Sequence, residues 1–105
     1  MLFIETPVFT ELVEKQLDRE AYRALQLTLL LRPEQGSVIP GSGGLRKIRW
    51  GVDGKGKRGG VRVIYFWEKA KATCYMLFLY RKNQQGDLAA VQVRTLARVV
   101  REEFS

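Results

Sequence analysis

The chain contains no histidine, and that absence excludes more chemistry than any other feature of its composition. Imidazole is the commonest general acid/base and the commonest metal ligand. A His-pair ribonuclease, a Ser-His-Asp or Cys-His triad and His-ligated zinc are therefore all ruled out. Cysteine is nearly absent too. Cys74 alone can form no intramolecular disulfide and no cysteine-rich zinc site, and within an apolar stretch it reads as core filler. No apolar run approaches the roughly 18–20 residues of a membrane-spanning helix. The opening MLFIETP lacks the cationic and long apolar segments of a signal peptide. These absences lead to the expectation of a cytoplasmic protein with no membrane partner and no metal site.

A length of 105 residues predicts a single domain, 1–105, with one modest core. A hydrophobic share of 46% against 28% charged residues is the balance of a folded chain, not a disordered one. Acidic residues are scarce where basic ones gather. Residues 41–83 hold eleven Lys and Arg against Asp53 and Glu68, whereas residues 1–40 hold four basic and six acidic side chains and 84–105 three of each. The net charge of +7 thus arises from the middle of the chain, the footprint of a polyanion binder.

Residues 2–5 suit an edge strand. Thr6-Pro7 then reads as a helix start, with Phe9, Leu12, Val13 and Leu17 at helical spacing. Asp18 reads as a second cap, followed by Tyr22, Leu25 and Leu29 up to the stop at Arg32-Pro33. Residues 33–44 read as a loop. Three strands are predicted next, Leu45 to Trp50, Gly60 to Trp67 and Thr73 to Tyr80, joined closely enough for an antiparallel meander. Asp87 reads as the cap of a last helix. Its buried stripe would be Leu88, Val91, Leu96, Val99, Val100 and Phe104. The expected class is α+β, in the order β-α-α-β-β-β-α.

Within that frame the loop Gly51-x-x-x-x-Gly56-Lys57 imitates a nucleotide-binding motif. It fails where the motif is specific: Arg58 stands in place of the magnesium-binding hydroxyl, and a strand follows instead of a helix. Its glycines and Lys55, Lys57 and Arg58 instead suit a hairpin tip that brings charge close to a ligand. Alternation sets Lys47 and Arg49 on one face of their strand. It also sets Arg62, inside Val61-Arg62-Val63-Ile64-Tyr65, with Ile64 and Phe66, opposite Val63 and Tyr65. A mid-strand arginine is costly unless it meets solvent, a carboxylate or a phosphate. Lys82 closes the group, and Tyr65 and Tyr80 are candidates to stack on bases.

The runs Gly43-Gly44-Leu45-Arg46-Lys47-Ile48-Arg49, Gly54-Lys55-Gly56-Lys57-Arg58-Gly59-Gly60-x-Arg62-x-Ile64-Tyr65, Leu79-Tyr80-x-Lys82-Asn83 and Asp87-Leu88 resemble the HigB branch of the RelE/ParE toxin superfamily. The resemblance spans nearly the whole chain. It implies a microbial-RNase-like RelE fold with a twisted, mainly antiparallel sheet. It also implies the toxin of a type II toxin–antitoxin system, a ribosome-dependent mRNA endoribonuclease that inhibits translation. Its partners would be mRNA in the ribosomal A site, the ribosome and a cognate antitoxin. Members of this group use no metal and no cofactor: a 2′-hydroxyl attacks the neighbouring phosphate. By position the resemblance matches Lys47 and Arg49 to the basic pair on the family's second strand, Arg62 to its central arginine and Lys82 to the basic residue after the last strand; with the loop residues Lys55 and Lys57, Arg62 and Lys82 are expected to carry catalysis, and Lys47, Arg49, Arg58, Tyr65 and Tyr80 to bind RNA. Asn83 and Ala89 replace an arginine and a tyrosine to which some RelE toxins assign catalytic roles. Two other functions are compatible with the same residues: a ParE-like inhibitor of DNA gyrase, and a non-catalytic nucleic-acid-binding module.

The concentration of positive charge carries its own test. Affinity for RNA or ribosomes is expected to fall roughly linearly with salt on a log–log scale, because each phosphate contact releases counterions. Filter binding or fluorescence anisotropy across a salt series measures it, and a flat response would overturn the electrostatic reading.

Overall fold

Thr6 shows how the chain is organised. In the computed structural model, which describes residues 1–51 and 60–104, its hydroxyl oxygen accepts the Phe9 N–H at 3.0 Å and caps helix α1 (Pro7–Gln16). Pro7 follows at the first helical position, where a missing N–H costs nothing. Helix α2 (Arg19–Leu31) starts in the same way, with the Asp18 carboxylate accepting the Ala21 N–H at 2.7 Å. Both predicted caps are therefore observed.

Five strands form one sheet in the order β1-β5-β4-β3-β2. They are β1 (Leu2–Glu5), β2 (Ser37–Val38), β3 (Arg46–Trp50), β4 (Val61–Glu68) and β5 (Thr73–Arg81). Strand β1 pairs in parallel with β5, and all other pairs are antiparallel. The predicted meander is β3-β4-β5. The two-residue β2 went unforeseen inside the predicted loop: its residues are exposed, and only the pairing of Ser37 with Lys47 and Val38 with Arg46 makes them a strand.

Each face of the sheet carries its own core. On one, Phe9, Val13, Leu17, Leu25 and Leu29 of the α1–α2 hairpin bury Val61, Val63, Tyr65, Cys74 and Met76. On the other, Leu45, Ile64, Tyr75 and Leu77 pack with Leu96, Val100 and Phe104 of the C-terminal helix, α3 (Ala90–Val99), which ends in a wider turn over Val100–Phe104. Burial pushes the Cys74 thiol up to about 12, as expected of core filler. Polar ties link the layers. Glu5 accepts the hydroxyls of Thr10 at 2.6 Å and Tyr22 at 2.5 Å, and the Trp50 indole N–H donates to the Ala21 carbonyl at 2.8 Å. Gly60 is required by the β3–β4 approach, because a Cβ there would lie 1.8 Å from the Trp50 carbonyl oxygen.

Two expectations for the last helix are corrected. Asp87 is not its cap. Its carboxylate is taken by the Leu88 N–H and by Lys47, and the helix starts at Ala90, with the Gln92 side-chain oxygen accepting the Ala89 N–H. Val91 is not in the buried stripe but 58% exposed. It sits five residues from Leu96, about 140° round the helix at 100° per residue.

The pairing of β4 with β5 contains one irregularity. Ile64 is opposite Phe78, yet Tyr65 is opposite Met76, so Leu77 is an extra residue in β5. Its carbonyl accepts the Thr6 hydroxyl at 2.9 Å, while the Met76 carbonyl accepts the Thr6 N–H at 3.0 Å. Thr6→Val removes the helix cap and orphans the bulge carbonyl at once. It is expected to lower stability by about 1–3 kcal/mol in urea denaturation, beyond the ~1 kcal/mol of an ordinary cap loss.

Candidate nucleic-acid interface

The bulge decides which side chains meet at the far end of the sheet. Strict alternation from Tyr75 would turn Tyr80 toward the α1–α2 hairpin. The extra residue reverses the alternation, so Leu79 joins the hairpin-side core and Tyr80 the α3-side core. The register then places Arg49 of β3 opposite Arg62 of β4, and Arg62 opposite Tyr80 of β5. Cross-strand partners share a face. Three neighbouring strands therefore present a row of guanidinium, guanidinium and phenol, with backbones about 4.8 Å apart. One step along the strands lies the row Lys47, Ile64, Phe78.

Arg62 is only 3% exposed and Tyr80 2% exposed. Neither the Arg62 Nη1 nor the Tyr80 hydroxyl has a hydrogen-bond partner among the described residues. Two like charges directly opposite across a strand pair repel, and a buried unpaired donor costs about 1–3 kcal/mol. Among the described residues no carboxylate pairs with Arg62. Asp87 is bound to Lys47 at 3.3 Å. The Leu88 N–H and then Lys47 hold the Asp87 carboxyl below the usual range. Its stabilising effect is present above the unfolded pKa and lost as pH falls through the folded one; on so exposed a side chain it is small. Burial first, and Asp87 next, push the Tyr80 phenol up, against a lowering by Arg62. The hydroxyl thus keeps its proton and can donate it. Neither the Arg62 Nη1 nor the Tyr80 hydroxyl has an anionic acceptor among the described residues, and a phosphate oxygen can supply one.

The residues singled out from the sequence divide four ways. Arg49, Arg62 and Tyr80 come together in one row, with Lys47 beside them. Lys82 is exposed two residues beyond Tyr80, in the turn that ends β5. Lys55, Lys57 and Arg58 lie outside the described residues. Tyr65 is a correction. It is 0% exposed on the hairpin side of the sheet, where its hydroxyl accepts the Gly36 N–H and donates to the Pro33 carbonyl, both at 2.8 Å. It anchors the segment after α2 and cannot stack on a base from the α3 side.

The middle segment's charge is also not all available to a ligand. Arg46 donates to the Glu34 and Gly36 carbonyls, Arg81 to the Gln16 carbonyl and Lys71 to the Phe104 carbonyl. Asp87 was absent from the sequence reading of the site. Forty residues separate it from Lys47, and no local signal joins them. Among the described residues, no group of three or more His, Cys, Asp or Glu is placed to hold a metal ion, and no helix is long and apolar enough to cross a membrane.

No family model matches the sequence. Among solved structures, a double arginine-to-alanine mutant of the E. coli toxin RelE in the free state is similar, with a TM-score of 0.60 over 92% of this chain and 93% of that one, at 15% sequence identity. The likeness is one of fold: the α+β arrangement of a five-stranded mixed sheet and three helices is RelE-like.

A buried guanidinium nitrogen without a partner among the described residues burdens the fold, and this yields a stability test. Arg62→Met keeps most of the side-chain volume and removes the charge. It is expected to raise stability by about 1 kcal/mol or more, read as a higher urea midpoint at unchanged slope. A lower midpoint would mean that Arg62 stabilises the free protein.

Proposed function

We propose that this chain is an RNA-cleaving toxin of the RelE type, acting on mRNA at the ribosomal A site and silenced by a cognate antitoxin. The observation that carries the proposal is the buried Arg62, without a partner among the described residues and directly opposite Arg49. Such an arrangement is expensive in a structural protein and useful in a phosphotransfer site, where charge develops on the phosphate as the reaction proceeds. The RelE-like fold and the sequence resemblance to the HigB branch support the same reading.

In the proposed reaction the 2′-hydroxyl oxygen of the nucleotide before the cut bonds to the adjacent phosphorus, and the bond from phosphorus to the 5′ oxygen of the next nucleotide breaks. The 2′-hydroxyl proton passes to a base and a proton is delivered to the leaving oxygen, giving a cyclic phosphate and a 5′-hydroxyl. Arg62 stabilises the negative charge on the non-bridging oxygens. With no histidine in the chain, proton transfer is assigned to Lys82, Lys57 and Lys55. Arg49, Lys47 and Arg58 hold the flanking backbone. Such a protein works in the cytoplasm, where its ribosomal substrate is.

The test is primer extension on mRNA incubated with ribosomes and the purified chain. Arg62→Ala is expected to reduce cleavage about 10²–10³-fold, the usual cost of one lost transition-state donor, with circular dichroism confirming the fold. Lys69→Ala, in the exposed 3-10 turn (Lys69–Lys71) between β4 and β5, is the control for net charge and should cleave normally. Growth inhibition with uncut mRNA would reject the nuclease and favour a gyrase-directed toxin.

A further inference from the structure

Two of the three buried polar atoms without a partner among the described residues belong to one cross-strand pair. They are the Arg62 Nη1 and the Tyr80 hydroxyl; the third, the Gln16 Oε1, belongs to helix α1. We infer that Arg62 and Tyr80 form a two-point phosphate receptor in which Tyr80 acts through its hydroxyl, donating to a phosphate oxygen, and not through its ring as a platform for a base. The identity of that phosphate, an RNA phosphodiester, rests on the function proposed above; the pairing of the two donors does not.

The geometry argues against the ring and for the hydroxyl. A stacking tyrosine needs a free face, and the Tyr80 side chain is packed into the α3-side core, with its ring tilted at 33° to Phe78 and the centroids 6.1 Å apart. What the core leaves without a partner is the hydroxyl. An arginine can only donate, and a tyrosine kept protonated by burial donates as well. Among the described residues the Arg62 Nη1 and the Tyr80 hydroxyl bond neither to each other nor to a carbonyl. A tetrahedral anion offers several acceptor oxygens and can take both hydrogen bonds at once.

Nearby charge favours the same ligand. Asp87 acts electrostatically on Tyr80 and is held by Lys47, one register step from Arg62 on the same face. An incoming phosphate competes with that carboxylate for the cationic surroundings. Opening an exposed pair of this kind costs little, and doing so adds the Lys47 ammonium to the receptor.

The experiment uses the full chain and two probes, inorganic phosphate and ribosome-bound mRNA. Melting temperature is measured in phosphate and in chloride at matched ionic strength for the wild type, Tyr80→Phe and Asp87→Asn. The wild type should gain stability in phosphate. Tyr80→Phe keeps the ring and its packing and should lose most of that gain. Asp87→Asn should keep or increase it. On mRNA, Tyr80→Phe should slow single-turnover cleavage at least ~10-fold, as expected for a lost hydrogen bond to a charged group. Loss of the phosphate response in Tyr80→Phe supports the receptor even if no mRNA is ever cut, in which case the nuclease assignment fails by itself. A wild type indifferent to phosphate overturns the receptor. So does a Tyr80→Phe variant that responds to phosphate and cleaves mRNA as the wild type does, and the nuclease assignment then stands.

Discussion

The Thr6 hydroxyl donates to the carbonyl of Leu77, the residue by which β5 exceeds β4, and the candidate site depends on that contact. A bulge leaves a carbonyl outside the ladder, and a buried carbonyl needs a donor. Thr6 supplies it while its oxygen caps α1, so one side chain fixes both the start of the helical hairpin and the place where β5 changes face. Beyond that point Leu79 faces the α1–α2 hairpin and Tyr80 faces α3. Were the pairing regular, with Leu77 in the ladder, Tyr80 would face the hairpin and Arg62 would stand opposite Leu79.

The two faces of the sheet differ in how fully their polar groups are satisfied. Under the hairpin, the Tyr65 hydroxyl both accepts and donates, the Trp50 indole reaches a helix carbonyl and Glu5 gathers two hydroxyls. On the α3 side, the Arg62 Nη1 and the Tyr80 hydroxyl have no partner among the described residues, and Asp87 is bound to Lys47. Natural folds satisfy nearly all buried polar groups, and exceptions concentrate where a ligand completes the set. The satisfied face holds the structure together, and that surplus stability lets the other face keep unpaired positive charge.

Net charge alone therefore overstates the ligand-binding surface. Arg46, Lys71 and Arg81 donate to carbonyls of the chain itself and fasten the segment after α2, the chain end and the end of α1. Arg62 and Arg49, close together in one row, contribute more to a local positive potential than the same number of scattered lysines, because charges within a few ångströms add their fields before solvent screens them.

The sequence by itself determined the local elements: the caps at Thr6 and Asp18, the stop at Arg32-Pro33, the three main strands and the face shared by Arg62 and Ile64. Each is a matter of residues within a few positions of one another, where propensity and periodicity act. It also singled out Arg62, since a charge inside an apolar strand is anomalous wherever the strand lies. Tertiary structure decided the rest. Tyr65 and Tyr80 look alike in sequence, and only the bulge and the position of α2 send one into the core with both hydrogen bonds made and leave the other with its hydroxyl unpaired beside Arg62. Strand β2 exists only through its pairing with β3, and Asp87 reaches Lys47 across forty residues instead of capping the helix that starts at Ala90. Register and long-range contact depend on how the whole sheet is packed, and no window of neighbouring residues encodes them.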